Sequence, residues 1–185
     1  MTAMQDTKPN DLLLLAGKII TFIMQGALAI GAIALAIVTP ALLIFRNRVI
    51  EEFATEAGNP EVAFPLFQLA GVMLIGLAIV VMLFVFFGTL RKIIATVGQG
   101  DPFAPENADR LSLMGWLMLG VQLALIPATA LGIALARFAS EMDDIHLTVD
   151  GGWDIEGILL VIILFILARV FRHGAAMRED LEGTV

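Results

Sequence analysis

Hydrophobic positions in this chain come in long uninterrupted runs, without the alternation of a half-buried strand or the spaced stripe of a helix covering a soluble core. The first uncharged stretch runs from Ile19 to Phe45, the second from Val62 to Leu90 with Pro65 near its start, and the third from Leu111 to Ala136. Each exceeds the ~20 residues a helix needs to cross a ~30 Å hydrocarbon layer. The fourth is shorter: only Gly157 to Ala168 is free of charge, which at ~1.5 Å per residue falls well short of a crossing. It gains length by running from Trp153 to Phe171, with Asp154 and Glu156 at one headgroup layer and Arg169 snorkelling to the other. The pattern predicts an all-α polytopic protein, a four-transmembrane-helix bundle forming one membrane domain over 1–185. Its spans fall at about 19–45, 64–90, 111–137 and 154–171, with outer loops 46–63 and 138–153, a cytoplasmic loop 91–110 and a cytoplasmic tail 172–185.

Composition agrees and narrows the class. Hydrophobic residues make up 59% of the chain and charged ones 16%, against about 25% charged in a soluble domain. Lipid must therefore solvate part of the surface, which excludes soluble enzymes, direct nucleic-acid binders and disordered tails. With no Cys there are no disulfides, thiolate metal sites or cysteine nucleophiles. Orientation follows the Lys and Arg distribution, since cytoplasmic loops retain positive charge. Lys8, Lys18, Arg91, Lys92, Arg110, Arg169, Arg172 and Arg178 share one side, against Arg46, Arg48 and Arg137 on the other. That division of eight to three places both termini in the cytoplasm of a multi-pass cell (inner) membrane protein. The net charge of −7 then resides wholly on the outer face, because the three cytoplasmic segments each balance. Ala34-Leu35-Ala36 resembles a signal-peptide cleavage site, but the apolar run before it is already longer than the ~7–15 residues usual there, so an uncleaved anchor is expected. From Asp11 to Phe45 is too long for one straight span. Either Leu12 to Leu15 lies along the interface, or the helix kinks near Pro40 and continues outside.

The first three spans contain no ionisable residue, so an ion or proton pathway lacks its usual parts. Their polar side chains, Gln25, Gln68 and Gln122 with Thr21, Thr39, Thr89 and Thr129, are expected to make interhelical hydrogen bonds. Small residues four apart, such as Ala27 and Gly31, suit close helix contact and leave intrachain packing and homo-oligomerisation both open. Pro40 and Pro127 are read as tolerated kinks in preference to hinges. In the outer loops Asp143, Asp144 and His146 are the residues to test for a hard cation, although their spacing matches no calcium loop and a solvated acidic surface is expected. No metal or cofactor is assigned. Thr148 to Gly152 suits a short extended piece and turn.

On the cytoplasmic side, Gly98 and Gly100 release the second span, Asp101-Pro102 turns the chain, and Pro105 with Glu106 opens the third helix. Phe103 is placed to tuck beneath the bundle. The Gly-x-Gly lacks the strand and third glycine of a nucleotide-binding turn. The last span should continue as a helix through the tail, with Met177 and Leu181 on one face.

Two motifs here, Gly100-Asp101-Pro102-Phe103 with Glu106-Asn107, and Phe171-Arg172-x-Gly174 with Arg178-Glu179 and terminal Thr184-Val185, carry a resemblance over nearly the whole chain. The chain resembles the small bacterial four-span membrane proteins of domain of unknown function family 2975. It departs in having Ala104 where similar sequences often carry Ser or another capping residue, which puts the cap of the third helix in doubt. That resemblance implies no biochemical activity, but it does imply a cytoplasmic helix-turn-helix transcription regulator as partner, because members are commonly encoded beside one. These motif residues are the candidate partner-binding set. The leading reading is thus a regulatory or sensing membrane protein, and the alternative a small transporter, channel or immunity protein against membrane-active compounds. An enzyme is not expected: His146 and His173 are the only histidines, and no acid–base set converges within the spans.

Overall fold

The computed structural model describes residues 9–56, 64–142 and 155–182. Five helices account for nearly all of them: α1 (Pro9–Ile44), α2 (Arg46–Glu56), α3 (Leu66–Gly98), α4 (Pro105–Met142) and α5 (Ile155–Glu182). No strand occurs among the described residues. Helices α1, α3 and α4 are each long and apolar enough to cross a membrane, and only 6% of the most apolar window of each is buried. Side chains such as Phe22, Ile30, Ile37 and Phe67, all more than 60% exposed, would form an untenable apolar surface in water and are at home against lipid.

The apolar run of α1 starts well before Ile19: Leu12 to Leu15 belong to the helix, which also continues through Pro40 and ends at Ile44. After Phe45 the chain resumes as α2, so the first part of the expected outer loop 46–63 is helical. Helix α4 likewise runs past residue 137 to Met142. The last helix continues through the tail, as expected, to Glu182.

Chain contacts group into two compact units. Unit 1 comprises 1–28, 82–119 and 155–185. Its core is Ile93 from α3, Leu111 and Met114 from α4, and Leu164 and Ala168 from α5, flanked by Phe86, Leu90, Met118 and Phe171. Unit 2 comprises 29–81 and 120–154. Phe53 of α2 meets Phe64 at 4.9 Å and Phe138 of α4 at 5.8 Å between ring centroids. This aromatic cluster gives the short, largely polar α2 a tertiary anchor, which a helix of its length needs.

Candidate functional site

The α3–α4 connection is built by local rules. Gly100 has φ +84°, the left-handed region that glycine enters without penalty. Its N–H donates to the Val97 carbonyl and that of Asp101 to the Thr96 carbonyl, each at 3.1 Å, which closes the end of α3 in a Schellman arrangement. Helix α4 then begins at Pro105 with Glu106 in its first turn, where a proline wastes no hydrogen bond and a carboxylate faces the helix dipole.

Ala104 carries no capping side chain, and a backbone bond takes up the N–H of Asn107 in the first turn. Ala104 is buried, its carbonyl accepts the Asn107 N–H at 2.9 Å, and Asn107 has no exposed surface. The Asn107 amide donates from Nδ2 to Thr96 Oγ1 at 2.8 Å and to the Pro102 carbonyl at 3.0 Å. Its Oδ1 accepts from Arg110 Nη1 at 2.8 Å. Thr96 in turn donates to the Ile93 carbonyl at 2.8 Å. One buried carboxamide thereby ties the end of α3, the loop and the start of α4 together, all polar groups being satisfied as burial demands.

The loop is also fastened to α5. Phe103 packs on Phe171 with centroids 5.4 Å apart, and its ring lies where a Cβ on Gly174 would fall, 2.7 and 2.9 Å from two ring carbons. Only glycine leaves room there. Asp101 accepts from Arg178 Nη1 at 2.5 Å, and Asp109 from Arg172 Nη2 at 3.2 Å. The structure therefore pairs Asp101 with Arg178, Pro102 with Asn107, and Phe103 with Phe171 and Gly174, whereas Arg172 pairs with Asp109, outside the two motifs. Gly100 shapes the loop, and Glu106 and Glu179 stand exposed nearby. Thr184 and Val185 lie outside the described residues. What remains open around this latch is the exposed part of Phe103, Met177 and the charged ends of Glu106, Arg172 and Glu179.

Thr96 and Asp109 were not among the sequence candidates. Their signal is one of pairing: Thr96 sits two residues before the end of α3, opposite the first turn of α4, and a hairpin of helices brings such positions together. An open groove of about 890 Å³ runs beside the latch, between Ser112, Phe165, Arg169, Arg172, His173 and Met177.

The span residues behave differently from expectation in part. Gln25 does reach across, from Nε2 to the Phe84 carbonyl at 3.5 Å, in the space left by Gly88. Thr21 and Thr89 instead donate within their own helices, to the Gly17 and Val85 carbonyls at 2.8 Å, because a hydroxyl one turn on finds the i−4 carbonyl first. Asp143, Asp144, His146 and the Thr148 to Gly152 piece lie outside the described residues, and among the described ones no three metal-ligating side chains cluster.

The family model described as "Protein of unknown function (DUF2975)" matches residues 41–185, and the chain belongs to that family. No curated protein and no solved structure matches it.

Proposed function

We propose that this member of the DUF2975 family is a four-span membrane protein with both termini in the cytoplasm, and that its loop–α5 latch is a docking platform for a cytoplasmic helix-turn-helix regulator. The four-span reading draws support from parity. Helices α3 and α4 leave the loop 99–104 as apolar spans, yet the far end of α5 returns to that same loop through Arg178 and Phe171. A chain that leaves by α4 and comes back on α5 crosses once more. The Lys and Arg division of eight to three puts the loop inside.

The single observation carrying the docking reading is the convergence of two motifs, about seventy residues apart in sequence, into one braced surface. Bracing matters because a partner that binds a preordered loop does not bear the cost of ordering it. Exposed Met177 and Phe103 offer apolar contact, and exposed Glu106, Arg172 and Glu179 on α4 and α5 offer charge. Cells carrying the tagged full chain and a helix-turn-helix regulator of the kind encoded beside related chains test the reading by co-purification. Capture should be lost on Met177→Glu and persist on Ile23→Ala in the lipid-facing surface. Equal capture by both variants, or none by the wild type, would sink it.

A further inference from the structure

A second groove in unit 1, of about 470 Å³, lies between α1 and α3 and is lined by Lys18, Ile19, Phe22, Arg91 and Ala95. Close helix approach builds its base: a Cβ on Gly17 would sit 3.2 Å from Ile94 Cδ1, the spacing small residues permit between spans. One cation stands on each wall. Lys18 extends along α3, its Nζ 3.9 Å from where a Cβ on Gly98 would be. Among the described residues neither Lys18 nor Arg91 has an ion-pair partner, and no acidic side chain lines the groove. Below the cations Ile19 and Phe22 continue the wall as exposed apolar surface, 50% and 68% accessible.

Two cations with no ion-pair partner among the described residues, above an apolar wall at the end of two spans, complement a molecule with a phosphate at one end and an acyl chain at the other. Lys supplies a mobile point charge and Arg a planar fork suited to phosphate oxygens. We infer that the α1–α3 groove holds an anionic phospholipid, its headgroup phosphate between Lys18 and Arg91 and its chain along Ile19 and Phe22. A zwitterionic lipid brings its own cation and leaves the pair uncompensated. The site rests on the proposed orientation for its place at the cytoplasmic headgroup layer, but its chemistry is testable apart from it.

The full chain in detergent is titrated with phosphatidylglycerol and with phosphatidylcholine, and bound lipid is counted by native mass spectrometry. One phosphatidylglycerol should be retained in preference to phosphatidylcholine. At the usual contribution of a basic residue beside anionic lipid, Lys18→Gln or Arg91→Gln should weaken retention roughly fivefold and the double variant about thirtyfold. Lys18→Arg with Arg91→Lys should restore it. Lys92→Gln, next along α3 but outside the lining, should leave it unchanged, and helical circular dichroism confirms that each variant is folded. Equal binding of the two lipids, a double variant that binds like wild type, or displacement of the lipid by millimolar inorganic phosphate would each overturn the inference. Orientation is read separately, by labelling cysteines placed at Glu52 and Glu106. Reversed labelling with phosphatidylglycerol selectivity intact would count against the topology alone, and lost selectivity with the expected labelling against the groove alone.

Discussion

At the residue scale the most consequential side chain is Asn107, because it is wholly buried and two of the three partners of its side chain have no other hydrogen bond among the described residues. Asn107→Ala leaves the Pro102 carbonyl and the Arg110 guanidinium without a partner it held, and stranded groups of this kind cost about 1–3 kcal/mol. A loss in that range is expected in unfolding from mixed micelles. Asn107→Asp should be intermediate, since it keeps the acceptor facing Arg110 and removes both donors. Thr39 presents the opposite case: it is 2% exposed and its Oγ1 has no hydrogen-bond partner. Thr39→Val removes an unmet polar group and is expected to leave the protein as stable or up to ~1 kcal/mol more stable in the same assay. A loss above that size would show that the hydroxyl is bonded after all. Neither value could be read from sequence. Asn107 stood out as a motif member, but its burial depends on Thr96, eleven residues earlier, and Thr39 looked like any threonine in an apolar run.

At the scale of elements, the latch ranks its own parts. Aromatic packing of Phe103 over Gly174 and Phe171 is worth about 0.5–1.5 kcal/mol beyond area burial, whereas exposed ion pairs such as Arg178–Asp101 and Arg172–Asp109 contribute roughly 0–1 kcal/mol and fade with salt. Gly174→Ala should displace the ring and raise amide hydrogen exchange across residues 99–104 by roughly two- to tenfold. Arg172→Ala, whose pair is 65% and 82% exposed, should change it far less. The reverse order would mean that charge, not packing, holds the loop. Much of this element structure was legible beforehand: the glycines, Asp101-Pro102 and Pro105 obey local turn and cap rules, and those rules need no tertiary partner. Helix α2 was not legible. Its sequence from Arg46 to Glu56 is polar enough to read as loop, and its anchor is Phe53 meeting Phe64 and Phe138, residues 11 and 85 positions away.

For the whole molecule the open quantity is the number of crossings, and α5 decides it. Length and composition single out α1, α3 and α4, while the uncharged part of α5 is only Gly157 to Ala168. Such a short stretch spans only with help from its ends, by bilayer thinning and by Arg169 reaching back to the headgroups. Those devices cost fractions of a kcal/mol per ångström, less than stranding the apolar face of Leu159, Ile162, Ile163 and Ile166 in water. The absence of native cysteine makes the count measurable, because a single introduced thiol is the only one present. Glu52→Cys should react with an impermeant maleimide on intact cells. Glu106→Cys and Glu179→Cys should react only after permeabilisation. Glu179 is the discriminating position: with three crossings it would share the outer side with Glu52, and it would then lie across the bilayer from Glu106. That outcome conflicts with the neighbouring Arg178 holding Asp101 at 2.5 Å, since an ion pair cannot reach through ~30 Å of hydrocarbon. Outside labelling of Glu179→Cys would therefore refute both the fourth span and the latch, and protection of Glu179→Cys together with Glu106→Cys is expected.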